Sequence, residues 1–185
     1  MRWDALFADL EARAAALSAG ERDAEIADRT RSEVGRLRLV DRLRPAVGAQ
    51  LRLTCRGGLT LAGQLGRVHP EWLLLAEDGG REAVVALAAV TSIGGLASWS
   101  AAPDTMSVVD SRFGLALALR GIARDRSPAR LHLTDGTVLD GTLDRAAADF
   151  IDVAVHPIGE VRRRSAVSQQ LVVAIEAVVA LRRDG

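Results

Sequence analysis

"LRLTCRGGLTLAGQLGRVHPEWLLLA", residues 51–76, decides the fold because the chain uses it twice. Shifted by 78 positions and without a gap, it lies over "ARLHLTDGTVLDGTLDRAAADFIDVA", residues 129–154, with 8 of 26 positions identical. Gly58 meets Gly136, Gly63 meets Gly141, Leu61 meets Leu139, Leu65 meets Leu143 and Arg67 meets Arg145. Glu71 and Trp72 fall on Asp149 and Phe150. Further on, "VVALAAVTSI" from Val84 corresponds to "VVAIEAVVAL" from Val172, after a connection ten residues longer in the second copy. One structural unit is therefore expected twice.

Within each copy the apolar period is two. Leu51, Leu53 and Cys55, then Leu59, Leu61 and Leu65, alternate with polar or small residues, the signature of half-buried strands. Gly57-Gly58 and Asp135-Gly136 sit where a tight hairpin needs residues tolerant of positive φ, and Gly63 and Gly141 mark a mid-strand bulge or bend. The glycines are thus turn and bend residues. A phosphate-cradling loop would run straight into a helix, usually with Lys and Ser or Thr, and none follows.

A third strand is expected at Trp72 to Leu75 and Phe150 to Val153. Asp152 at the position of Leu74 marks the wetter face, leaving Leu73, Leu75, Ile151 and Val153 inward. Two further short strands follow in each copy, around Ala83–Leu87 and Val90–Ile93, then Leu171–Ile175 and Val178–Leu181. Five bent strands in so short a stretch are enough to close a small barrel. Helical spacing of Trp3, Leu6, Phe7, Leu10 and Leu17, and then of Ile26, Thr30, Val34, Leu37 and Val40, predicts a helical hairpin ending near Pro45. Ser107 with Asp110 resembles a capping box opening a helix that runs to about Asp125. The expected fold class is α+β, mainly β. Its parts are an N-terminal helical region (1–48), a first barrel (49–96), a linker (97–106), a helix (107–127) and a second barrel (128–183).

Composition narrows the function classes. At 185 residues, 49% hydrophobic and 26% charged, the chain can bury one good core or two small ones. All 24 basic residues are Arg, and Lys, Asn and Tyr are absent; the three share AT-rich codons, so a GC-rich genome accounts for the bias. Zero formal net charge argues against a general polyanion binder. The N-terminus lacks the apolar stretch of a signal peptide, and no uncharged apolar run approaches a membrane span, so a cytoplasmic protein without membrane contact is expected. A single Cys excludes an internal disulfide and a cysteine-built zinc site.

A helix followed by a bent five-stranded unit, with "GGLTLAGQL" at the first turn and "VVALAAVTSI" at the end, resembles the Sm-like fold, most nearly its bacterial RNA-chaperone branch. The resemblance covers Leu51–Ile93 and Arg130–Leu181. It implies two tandem Sm-like, SH3-like barrels and, in the family, uridine-rich RNA bound at the inner rim of a ring. The rim loop corresponds here to His69-Pro70-Glu71 and Ala147-Ala148-Asp149, and the basic pair to Leu87-Ala88 and Ile175-Glu176. Neither matches, so the fold carries over and the RNA rim does not. The whole chain also resembles a group of actinobacterial proteins, some described as transcriptional regulators, although no helix-turn-helix pattern accompanies the likeness.

For chemistry, the alternation turns Cys55 inward as a core residue. His69, His132 and His156 read as solvated surface histidines, with no metal-ligand spacing between them. Asp149 and Asp152 near His156 form the one dense titratable group, which reads as a polar loop end. No nucleophile elbow, cofactor motif or small-molecule site is evident, and a non-enzymatic protein is expected. Arg36, Arg38 and Arg42 on the second helix, Arg124 and Arg126 at the third helix end, and Arg162, Arg163 and Arg164 on the long loop of copy two are candidate phosphate contacts. Three Trp, three Phe and no Tyr leave few platforms on which bases could stack. The apolar fourth and fifth strands of each copy need covering, so a protein partner or self-association is the stronger expectation, with nucleic acid as the alternative.

Overall fold

A computed structural model describes residues 31–32, 34–97, 114–157 and 168–183. The chain divides into two compact units, 1–38 and 39–185. Of the first, the described residues 31, 32 and 34–36 are helical, and 37–38 leave the helix before α1 (Leu39–Leu43) begins in the second unit. The single helix expected to run to Arg44 is therefore broken. Its predicted apolar face does not hold as one stripe, since Val34 is 60% exposed while Val40 is buried. The first helix of the expected hairpin lies outside the described residues.

The second unit is mainly β. Ten strands form one antiparallel sheet: β1 (Gln50–Cys55), β2 (Thr60–Val68), β3 (Trp72–Ala76), β4 (Glu82–Ala86), β5 (Val90–Gly94), β6 (Pro128–Leu133), β7 (Val138–Ala146), β8 (Phe150–Val155), β9 (Gln169–Ala174) and β10 (Val178–Arg183). Their spatial order is 5-1-2-3-4-10-6-7-8-9. The order within the first five strands is repeated in the second five, and the registers coincide. Leu53 faces Leu61 and Leu131 faces Leu139, each pair displaced by the same 78 residues. The sheet is not closed, contrary to the expectation of two barrels each sealing on itself. The reason is that β4 gives its free edge to β10 of the other half, so neither five-stranded half is joined to itself by hydrogen bonds.

Alternation fills the core. β1 and β2 bury Leu51, Leu53, Cys55, Leu61 and Leu65, and β3 and β8 bury Leu73, Leu75, Ile151 and Val153, the residues expected to face inward. Gly57 and Gly58 both take positive φ at the first hairpin, whereas in the second only Gly136 does. Asp135 is spared because its carboxylate accepts the Thr137 N–H at 2.8 Å, bracing the turn from the side chain. At Gly63 and Gly141 a Cβ would collide with the carbonyl oxygens of Ala76 and Ala154. These glycines therefore permit a close backbone approach. The bulges lie further along, between Leu65 and Arg67 and between Leu143 and Arg145.

α2 (Leu115–Asp125) packs on β7 and buries Leu115, Leu119 and Ala123 at fourfold spacing. It opens at Leu115, not Ser107: Gly114 has non-helical dihedrals, and the expected capping box lies outside the described residues. The cap comes instead from the other half of the sheet, where the Glu71 carboxylate accepts the Leu115 N–H at 2.8 Å. At the other end Arg126 takes φ 52°, the one positive φ outside glycine among the described residues.

Candidate interaction site

The seam between the halves is built from the repeated segment "VVA" and its partner. β10 pairs β4 with Ala180 opposite Val85, Leu181 opposite Val84 and Arg182 opposite Ala83. Apolar strands meet edge to edge, so the backbone groups that each half would otherwise leave open are satisfied. Ala83, Val85, Val179, Ala180 and Leu181 are all buried there. Arg182 forks onto Glu77, its Nε and Nη2 donating to the two carboxylate oxygens at 2.9 and 3.0 Å. Glu71 adds its link to α2 beside the seam. A cleft of about 600 Å³ lies over it, lined by Glu71 and Ala86 from one half and by Asp149, Ile175 and Glu176 from the other.

The sheet ends in β5 and β9, and among the described residues each has one strand neighbour, β1 and β8 respectively. These are the counterparts of β10 and β4, the strands that meet at the seam. Val84 of β4 is half-buried, whereas its counterpart Val172 of β9 is 72% exposed; Val85 and its counterpart Val173 are both buried. Thr91 and Ser92 on β5 are exposed where Val179 and Ala180 on β10 are buried. Neither edge carries a charge or proline that would repel an incoming strand.

The three histidines are not the solvated surface groups their sequence suggests. His156 is 1% exposed, its Nε2 2.8 Å from the Thr142 hydroxyl and its Nδ1 3.0 Å from the Pro157 carbonyl. The Pro157 carbonyl can only accept, so Nδ1 donates to it, while Nε2 shares a hydrogen bond with the Thr142 hydroxyl. His69 is buried, stacks on Trp72 with centroids 5.5 Å apart, and its Nδ1 accepts the Glu71 N–H at 3.3 Å. His132 is half-buried and its Nε2 is buried with no hydrogen-bond partner among the described residues. Burial first, then the nearby Arg182 and Arg130 charges, hold its pKa below the ordinary 6.5. Alternation turns His132 outward and the loop positions of His69 and His156 suggest solvation, yet His69 is covered through its neighbours Glu71 and Trp72 and His156 through Pro157 and Thr142.

The titratable group expected around His156 does not converge. Asp152 accepts Arg145 Nε at 2.7 Å, His156 points to Thr142, and Asp149 lines the cleft over the seam. Cys55 is buried as expected, and burial raises its thiol pKa.

The arginines separate into classes. Arg36 and Arg38 belong to the first unit and Arg42 to the second, so they are not one described surface. Arg42 donates to the Ala97 carbonyl at 2.7 Å. Arg162, Arg163 and Arg164 lie outside the described residues. Arg124 and Arg126 share a shallow groove of about 390 Å³ with Arg120, from the same helix, and with Arg145, which sequence reading did not single out there. Arg120 is spent on the carbonyls of Ala146 and Ala147, and Arg145 on Asp152 with its guanidinium over Phe150. Of the 24 arginines, others are consumed by acids, as in Arg130–Asp140 and Arg183–Asp125.

Among the described residues no helix is long and apolar enough to cross a membrane. Comparison of the chain with protein-family models, with curated proteins and with solved structures finds no match in any of the three.

Proposed function

We propose that the protein is a non-enzymatic assembly module built from two Sm-like five-stranded units that share one open sheet, and that it works by adding strands to the edges of that sheet. The observation that carries this reading is the seam: β4 and β10 join two like units edge to edge, and the equivalent strands, β5 and β9, carry no charge and have one strand neighbour each among the described residues. Strand addition gains main-chain hydrogen bonds along the whole edge and covers side chains such as Val172. The dispersal of Asp149, Asp152 and His156 to separate partners supports a role in binding over catalysis.

The test is the native mass of the chain in its host's extract, compared with Val172→Asp and Ile93→Asp, which place a charge on each edge. Loss of a larger complex in both variants is expected. A complex that persists in both, or turnover in a substrate screen that Asp149→Ala or His156→Ala abolishes, overturns the reading.

A second reading, a nucleic-acid-associated regulator, has one observation in its favour, the groove that gathers Arg124 and Arg126 beside Arg120 and Arg145. It predicts anisotropy-detected binding of single-stranded RNA or duplex DNA that weakens steeply between about 50 and 200 mM salt. Arg124→Ala with Arg126→Ala would flatten that slope; an unchanged slope counts against the groove.

A further inference from the structure

The geometry points to the cleft over the seam as a docking site for an arginine-bearing segment of a partner protein, a contact separate from the sheet edges.

Both halves shape this cleft. Its floor is apolar: Ala86 and Ala89 of the first half, Leu115 at the start of α2 and Val178 of the second half are buried, and Ile175 is half-buried beside them. Its rim is acidic. Glu71 and Asp149 stand at equivalent places, 78 residues apart, just before β3 and β8, and Glu176 stands on the turn between β9 and β10. All three are exposed, and among the described residues Arg56 is the one cation that lines the cleft with them. At about 600 Å³ the space lies within the roughly 300–1,000 Å³ of ligand-sized pockets.

Acids elsewhere in the sheet are answered by guanidinium groups: Glu77 by Arg182, Asp140 by Arg130 and Asp152 by Arg145. Glu71 is answered too, since one of its oxygens takes the Leu115 N–H and so meets the positive end of α2. Asp149 occupies the same place in the second half, yet among the described residues no helix end or side chain reaches its carboxylate. Glu176 falls where the first half has Ala88, and its carboxylate is likewise without a partner among the described residues. Arg56 makes no ion pair with either, although it lines the same cleft. Two unanswered negative charges thus stand above a buried apolar floor.

Arginine suits both parts. Its methylene stem lies along apolar surface while the charged head keeps contact with water and carboxylates. Its planar fork donates parallel hydrogen bonds to one carboxylate and has donors left for another, which the compact ammonium of lysine matches less well. A phosphate-bearing ligand is disfavoured at this place, because it would meet three carboxylates against one guanidinium. The exposed rim leaves the cleft open to solvent, so the side chain can arrive on a chain lying across it. A second arginine on that chain then reaches the other free carboxylate.

The experiment is fluorescence anisotropy of the full-length protein with a labelled Gly-Arg-Gly-Arg-Gly peptide at about 50 mM salt, where screening is weak. Saturable binding is expected. Asp149→Asn with Glu176→Gln should weaken it about tenfold or more, the effect of losing a charge-assisted hydrogen bond. Both side chains are exposed and unpaired among the described residues, so the thermal melt of that variant should not move. Asp78→Asn, which removes an exposed charge outside the cleft, should leave binding unchanged. Agmatine, which carries one guanidinium and no peptide backbone, should compete about tenfold or more less well than the unlabelled peptide. Absence of saturable binding, or binding indifferent to the double variant, overturns the inference. Agmatine competing as well as the peptide overturns it in favour of a small amine, and displacement of the peptide by single-stranded RNA overturns it in favour of nucleic acid. Val172→Asp should bind the peptide as the wild type does, so a cleft that fails this test leaves the edge reading standing, and the reverse holds equally.

Discussion

Replacing Arg182 by Leu tests whether the two halves are held as the seam describes. The substitution removes two charge-assisted hydrogen bonds, at 2.9 and 3.0 Å, and leaves the Glu77 carboxylate, whose side chain is 7% exposed, without its cation. Breaking a fully buried ion pair from one side costs about 3–5 kcal/mol. Arg182 is 23% exposed, so water softens the loss, and about 2–3 kcal/mol is the reasonable size. For a domain of this length that corresponds to a fall in melting temperature of about 4–12 °C. The diagnostic is the double variant Glu77→Leu with Arg182→Leu. Removing both charges eliminates the stranded carboxylate and should recover about half of the loss or more. Thermal and urea denaturation of the wild type, both single variants and the double variant supply the cycle. His132 provides an independent readout, because Arg182 is among the charges that lower its pKa, so in Arg182→Leu its NMR titration should move upward. A loss below about 0.5 kcal/mol, or a double variant no better than the worse single one, would refute a coupled buried pair at the seam.

Other perturbations follow from the same structure. Arg126→Gly removes a side chain from a left-handed helix cap and should stabilise by about 1 kcal/mol in a urea titration. Gly141→Ala drives a methyl into the Ala154 carbonyl and should cost about 3 kcal/mol, while Gly121→Ala, an open helical position, should be neutral or slightly stabilising. His132 has a lower pKa folded than unfolded, so the unfolded chain takes up the proton first. Stability should therefore be flat above the ordinary value of 6.5 and decline as pH falls below it; His132→Gln should lessen the decline. Asp140, held low chiefly by its hydrogen bonds from Arg130, contributes stability above its ordinary 3.8 that is lost in more acidic solution, and Asp140→Asn should flatten that acid limb.

Period-two alternation and a gapless repeat were enough to place all ten strands and most of their inward residues, because both depend on local geometry and on which face meets the core. The hairpin glycines were legible for the same reason. Composition and spacing also pointed to apolar fourth and fifth strands in need of cover. What the sequence could not say was which edge would meet which. β4 has two neighbours of suitable character, β5 of its own half and β10 of the other, and alternation is the same for either. Only the tertiary structure decides, through the Arg182–Glu77 fork and the Glu71 cap on α2, contacts 105 and 44 residues apart in the chain. The burial of His132 has the same origin, since its outward direction is local while Arg182 and Glu77, which lie near it, are distant in the chain.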